Sequence, residues 1–262
     1  MKKILLYLFT FAALQVVMAF FLDVVLKLFW PSISSSSTTS LLIISIISDL
    51  AVVALFLGLK WCPVSRNYVR TKPWMTLFWT AMLGLGIVFP LSWLEEFIPE
   101  AWRMDLNGVE LMQMLQTTEG YFALCMLAPL AEEIVFRGAL IRAIRSFCEQ
   151  RGWAHPAMWA VIASTVCFAV IHLNPAQIPH ALIVGLILGW LFVKTGSIVP
   201  GCIVHWINNS MAYVIVKCFP WLPMDASVND IFNHNTMAIA QALVCSLLIA
   251  LPSAYQLYKS KN

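Results

Sequence analysis

The sequence is a succession of long apolar runs separated by short polar breaks. Eight runs are long enough, or nearly so, to cross a hydrocarbon core, which takes about 20 residues of helix. They lie at residues 4–29, 41–59, 75–97, 119–141, 157–173, 179–193, 198–217 and 235–257. Because unpaired backbone groups in lipid are costly, each crossing must be helical. The pattern predicts an all-α, polytopic membrane protein with about eight transmembrane helices.

Composition agrees with a membrane location. Of the 262 residues, 61% are hydrophobic and 11% are charged, whereas soluble domains are about 45–50% apolar and about 25% charged. The net charge of +3 and the lack of a basic stripe argue against a nucleic-acid partner. Membrane lipid is the expected surrounding, and the seven scattered cysteines are interpreted as small buried hydrophobes.

The positions of lysine and arginine predict the orientation. They concentrate at the start of the chain, in the loops after the second, fourth and sixth runs, and at the end. With eight crossings these loops share one side, so the positive-inside rule places both termini in the cytoplasm. The first run is too long for a signal peptide and is interpreted as an uncleaved helix. A bacterial cell membrane is the expected location.

The fourth run contains two adjacent glutamates and an arginine, Glu132, Glu133 and Arg137. Charged residues within a membrane span are costly and are therefore functional candidates. Glu133 and Arg137 have the i, i+4 spacing of a helical ion pair. Glu132 points about 100° away on a regular helix and is left free to act as a general base. The alternative is that both glutamates only hold helices together.

Two further runs carry polar groups. His172 ends the fifth run, four residues after Phe168, and the seventh run contains His205 and Asn209 at i, i+4. Alone, each could be hydrogen-bonding glue between helices. Together with Glu132 they are the parts needed to hydrolyse an amide: a base for water, an imidazole to position it, and donors to an oxyanion. We therefore expect a polar cavity inside the membrane.

The same residues allow a metal. Zinc is commonly held by histidine and carboxylate ligands, so Glu132, His172 and His205 are the predicted ligands if an ion is present. The H-E-x-x-H spacing of many zinc proteases does not occur in the sequence. No cofactor is therefore certain, and zinc is the one alternative.

Glu132-Glu133-x-x-x-Arg137, Phe168-x-x-x-His172 and His205-x-x-x-Asn209 resemble the three motifs of the CPBP family. This family includes the type II CAAX prenyl endopeptidases, the lysostaphin-resistance proteins and the Abi proteins. The resemblance covers about residues 115–215. The predicted organisation is N-terminal helices at 1–114, a CPBP-like catalytic core at 115–217, and a last loop and helix at 218–262.

The resemblance implies an intramembrane endopeptidase that cuts a membrane-anchored, prenylated or hydrophobic peptide. It assigns Glu132 as the activator of water, with His172 assisting and Glu133 in the catalytic set. His205 and Asn209 would form the oxyanion hole, and Phe168 would contact the substrate. Both a glutamate mechanism and a metal mechanism remain open.

Two other functions remain open. Intramembrane Glu, His and Arg also build the proton relays of transporters, although no inverted repeat is apparent. A non-catalytic immunity or scaffold protein would bind a peptide without cutting it.

One geometric difficulty concerns the depth of the two histidines in the membrane. His205 lies about 10 Å into its span and His172 near the opposite end of its own, so the helices must be tilted, staggered or broken.

Overall fold

The computed structural model describes residues 1–30, 37–63, 65–102, 108–221 and 226–260. The regular elements in these ranges are helices. The first five are α1 (Lys2–Phe29), α2 (Thr38–Gly58), α3 (Arg66–Arg70), α4 (Trp74–Glu95) and α5 (Gly108–Leu115), with a short 3-10 turn at Glu100–Trp102. A long helix, α6, spans residues 118–150. It is followed by α7 (Pro156–Val170), α8 (Ile178–Thr195), α9 (Val199–Cys218), α10 (Val228–Ile231) and α11 (Thr236–Lys259).

Helix α6 is not a regular α-helix. Its five consecutive segments are Thr118–Gly120, Tyr121–Leu127, Ala128–Glu132, Glu133–Ile141 and Arg142–Gln150. The second and fourth segments are π-helical. Wider π turns are rare and occur frequently at functional sites. The two π segments flank the one α-helical turn that ends at Glu132. The sequence predicted a regular helix over 119–141, and the structure differs from that prediction beside the charged residues.

The described residues include five helices long and apolar enough to cross a membrane, namely α1, α2, α4, α8 and α11. The prediction of an all-α membrane protein is therefore confirmed, but the count of eight spans is not. The fifth predicted span forms α7, which has only 15 residues. The fourth is divided among the segments of α6, and the seventh, α9, includes a histidine and two asparagines that lower its hydropathy.

Helix α6 lies at the centre of the fold. All nine residues of its segment Glu133–Ile141 are buried. Helices α2, α7 and α9 pack directly against it, α8 packs on α7 and α9, and α4 lies between α9 and α11. Large apolar side chains such as Phe9, Phe20 and Leu248 are exposed on α1 and α11, as expected of helices that contact lipid.

Two glycines bring α8 unusually close to α7. A β-carbon on Gly185 would lie 2.8 Å from Thr165 Cγ2, and one on Gly189 would lie 2.7 Å from Val161 Cγ1. Such distances leave no room for a side chain, so these positions fix the approach of the two helices. The contact places the backbone of α8 beside the buried charges of α6.

Candidate active site

The two adjacent glutamates of α6 have different environments. The side chain of Glu133 is 0% exposed, whereas that of Glu132 is 21% exposed. Adjacent residues on a helix point in different directions, so Glu133 faces the protein interior while Glu132 remains partly exposed. The structure thus separates a fully enclosed carboxylate from an accessible one.

Glu133 forms a buried ion pair with Arg137. Glu133 Oε1 lies 2.9 Å from Arg137 Nη1, the pairing that the i, i+4 spacing predicts. The guanidinium also donates from Nη2 to the carbonyl oxygen of Gly185 at 3.4 Å. Its Cζ lies 4.3 Å from the centre of the Phe168 ring. Because an enclosed charge is costly unless it is paired, the ion pair and these two further contacts hold both side chains in place.

His205, from α9, lies between the two glutamates. Its Nδ1 is 3.3 Å from Glu133 Oε1, and its Nε2 is 3.5 Å from Glu132 Oε2. Because a carboxylate only accepts hydrogen bonds, Nδ1 donates to Glu133. The buried glutamate therefore sets the orientation of the ring, and Nε2 is directed at the accessible glutamate.

Phe168 connects the two histidines. Its ring centre lies 5.0 Å from that of His172 and 5.7 Å from that of His205, edge to face in both cases. With 2% of its surface exposed, Phe168 holds these groups in place. Its predicted contact with substrate stays a prediction.

His172 follows the end of α7, which stops at Val170. Its Nδ1 lies 2.8 Å from the carbonyl oxygen of Phe168. A carbonyl oxygen only accepts, so Nδ1 carries hydrogen and a neutral His172 keeps Nε2 as an acceptor. Helix α7 has 15 residues, fewer than the about 20 of a full crossing, and His172 lies just beyond its end, against Phe168. In the described part of the chain, no carboxylate lies within salt-bridge distance of His172.

Asn209 lies one turn after His205 on α9. Its Nδ2 donates to the carbonyl oxygen of Leu124 at 3.1 Å, and its Oδ1 accepts from Asn208 Nδ2 at 3.5 Å. The structure therefore brings Glu132, Glu133, Arg137 and His205 into one contact group. His172 contacts Phe168, which also contacts His205 and Arg137. Asn209 lies one turn from His205, and its described side-chain contacts are with Leu124 and Asn208 rather than with this group.

The predicted zinc ligands do not form a metal cluster. Among the described residues, no three His, Cys, Asp or Glu side chains are placed to hold a metal ion. Both nitrogens of His205 face carboxylates, and Nδ1 of His172 bonds a backbone carbonyl. The donor arrangement gives no support to the name metalloprotease.

Sequence reasoning missed two features near the site. Asp49 of α2 is 5% exposed, accepts from Gln15 Nε2 at 2.9 Å, and is close enough to Glu132 for their charges to interact. Charged residues within a membrane span are functional candidates. Asp49 is a lone carboxylate within an apolar run, so the sequence alone could have identified it. The second feature is the contact of His180 with both Glu95 and Asn208, which joins three helices and has no signature along the chain.

Fold and site together define an all-α integral membrane protein with an enclosed cluster of charged and imidazole groups. Residues 115–211 match the sequence model of the Rce1-like type II CAAX prenyl endopeptidase family. The predicted resemblance is therefore confirmed over this segment, which includes all three motifs, and it supports a protease at the level of the family. Comparison with curated proteins and with solved structures gave no significant match.

Proposed function

We propose that this protein is an intramembrane endopeptidase in which Glu132 activates water to cut a membrane-anchored or prenylated peptide. The observation that carries this proposal is the pairing of an accessible carboxylate with a buried one on either side of His205. Glu132 is 21% exposed and lies 3.5 Å from His205 Nε2. It also belongs to the segment that matches a family of prenyl endopeptidases.

The roles of the two glutamates follow from their surroundings. Glu133 is enclosed and ion-paired to Arg137, so it cannot reach a water molecule and serves to hold His205. In the described part of the chain no lysine or arginine lies within salt-bridge distance of Glu132, which can take a proton from water. The resulting hydroxide attacks the scissile carbonyl carbon, whose π electrons move onto oxygen. When the tetrahedral intermediate collapses, the C–N bond breaks and Glu132 returns the proton to the leaving amine.

The remaining groups would stabilise the water and the intermediate. His172 Nε2 is an acceptor that can receive a hydrogen bond from the attacking water. Asn209 Nδ2 has two hydrogens, and only one of them is used by Leu124. The second hydrogen can donate to the developing oxyanion, a contribution that is commonly worth about 10²–10³ in kcat for one donor. With Nδ1 engaged by Glu133, His205 can donate to the oxyanion only through Nε2, in the form of the ring that carries hydrogen on both nitrogens.

The proposed substrate class is supported by the family match and by the membrane setting. A prenyl chain would hold a peptide at the bilayer and raise its local concentration near the site. A farnesylated CAAX peptide is therefore the first reporter to use, compared with the same peptide without its farnesyl group. We expect faster cleavage of the farnesylated form.

The test uses the full chain reconstituted in liposomes. Glu132→Gln keeps the size of the side chain but removes its basicity, and we expect kcat to fall about 10²–10⁴-fold with little change in melting temperature. Glu149→Gln is the matched control, because Glu149 lies on the same helix α6 but is 48% exposed in a surface ion pair. Undiminished turnover by Glu132→Gln would contradict the assigned role. Proton flux that is lost in this variant, without peptide cleavage, would instead indicate a transporter.

A further inference from the structure

The structure assigns a relay of three side chains, Glu95, His180 and Asn208, that positions the amide of Asn209. We propose that these are positioning residues of the active site, with Glu95 contributed by α4, outside the segment that matches the family. The inference rests on the proposed function, in which Asn209 donates to the oxyanion. It adds residues from α4 and α8 to a site otherwise built from α6, α7 and α9.

The orientation of an asparagine amide is decided by its partners, since its nitrogen and oxygen have nearly the same shape. Asn209 Nδ2 faces the carbonyl oxygen of Leu124, 3.1 Å away. This contact holds the nitrogen end of the amide. The oxygen end is held by Asn208 Nδ2 at 3.5 Å. A donor at that end matters, because a flipped amide would present an oxygen to the oxyanion and repel it.

Asn208 is itself oriented by His180. Asn208 Oδ1 lies 3.2 Å from His180 Nε2. Because this amide oxygen only accepts, Nε2 must supply the hydrogen. That hydrogen bond fixes Oδ1 of Asn208 toward α8 and leaves Nδ2 directed at Asn209. Asn208 faces a different direction from the adjacent Asn209, so its proposed effect on the site is to orient the amide of Asn209.

Glu95 completes the relay. Its Oε1 lies 2.6 Å from His180 Nδ1, with the glutamate side chain 47% exposed and the histidine side chain 21% exposed. The relay uses the form of the ring that carries hydrogen on both nitrogens. Nδ1 faces the carboxylate, which restricts rotation of the ring, and Nε2 donates to Asn208, in the way that acidic groups commonly orient imidazoles. The relay therefore runs from a partly exposed glutamate at the end of α4 to the amide in the site.

The kinetic test separates positioning from general stability. With the farnesylated reporter, we expect His180→Ala to lower kcat about tenfold and to leave KM nearly unchanged, because the oxyanion exists only in the transition state. His180→Gln, whose amide can still donate to Asn208, should recover part of the loss. The control is His234→Ala, which removes a 76% exposed histidine that lies near Asp230.

A double-mutant cycle tests whether His180 acts through Asn209. If it does, the variant with both Asn209→Ala and His180→Ala should be no slower than Asn209→Ala alone, because the effects of coupled residues do not add. A further tenfold loss in the double variant would overturn the inference, as would His180→Ala with the kcat of the His234→Ala control.

A second measurement needs no activity and so distinguishes failure of the relay from failure of the proposed function. The side-chain amide signals of ¹⁵N-asparagine-labelled protein in detergent micelles are recorded, and that of Asn209 is identified by its loss in Asn209→Ala. We expect this signal to shift in His180→Ala and in Glu95→Gln but not in His234→Ala. An unmoved Asn209 signal overturns the relay even if the protein cleaves the reporter. A shifted signal in a protein that cleaves no reporter supports the relay and contradicts the proposed reaction.

Discussion

Replacing Gly201 by alanine is a direct test of how tightly the buried half of the site is built. Gly201 is buried in the first turn of α9 and lies against Glu133. A β-carbon at this position would lie 2.5 Å from Glu133 Oε2 and 3.3 Å from Glu133 Cδ. Since such contacts are too short, either α9 or the carboxylate must move.

The carboxylate has little freedom to move. Its other oxygen is 2.9 Å from Arg137 Nη1 and 3.3 Å from His205 Nδ1, and the side chain is 0% exposed. Overpacking of this kind costs about 1–3 kcal/mol, while replacing glycine by alanine within a helix returns up to about 1 kcal/mol. The net loss of folding stability is therefore at most about 3 kcal/mol.

The effect on catalysis should exceed the effect on stability. Gly201 and His205 lie one turn apart on α9, so a shift of α9 moves the imidazole away from Glu132. A displacement of about 1 Å can cost about 100-fold in rate, so we expect kcat for the farnesylated reporter to fall about 10- to 100-fold. The assay is reporter cleavage in liposomes, measured together with the thermal melting of the same preparation.

Gly58→Ala is the matched control for this experiment. Gly58 is the last residue of α2, and a β-carbon there would meet nothing within 4 Å. Alanine at this position should change neither kcat nor melting beyond small effects. If Gly201→Ala is as active and as stable as Gly58→Ala, then the packing of α9 against Glu133 does not constrain the site and the reasoning fails.

Three other predictions follow from the described contacts. Arg137→Ala leaves a buried carboxylate without its cation and should lower the free energy of unfolding by about 3–5 kcal/mol, measured by denaturant titration; a loss no larger than that of Arg145→Ala, which breaks a half-exposed pair, would contradict it. The backbone N–H and hydroxyl of Ser227 both donate to Asp230 and hold the pKa of its carboxyl below the ordinary value. Because the folded state has the lower pKa, this contribution is present at neutral pH and is lost as the pH falls through that pKa; NMR titration should show a higher Asp230 pKa in Ser227→Ala, and an unchanged value would refute it. In the proposed mechanism Glu132 activates water without a metal, so chelation with EDTA should leave reporter cleavage unchanged; loss of activity that zinc restores would contradict that mechanism.

Much of the site could be predicted from the sequence because its charged and polar residues interrupt otherwise apolar runs. An apolar run with Glu133 and Arg137 four residues apart allows few explanations other than an ion pair, and the structure shows the pair at 2.9 Å. The same contrast identifies His172, His205 and Asn209 as candidates. Their catalytic roles stay predictions, since no contact in the structure tests a reaction.

The remaining features depend on contacts between distant parts of the chain. The π segments on either side of Glu132 have no periodicity of their own, because apolar residues occupy most positions in both segments. The position of Nε2 of His205 is set by Glu133, which is 72 residues away along the chain. The count of eight spans stays unconfirmed, because α7 has 15 residues and the fourth predicted span is divided among the segments of α6.

The division between the two glutamates decides which variants can report on catalysis. Glu133 and Arg137 are enclosed together, so removing either leaves an unpaired charge that costs several kcal/mol, and loss of activity would then reflect loss of the fold. Glu132 is 21% exposed and has no arginine partner in the described residues. Its replacement by glutamine removes a base without leaving a buried charge behind. A variant at Glu132 can therefore change the rate of cleavage without unfolding the protein, and this makes Glu132 the position at which to test the proposed protease activity.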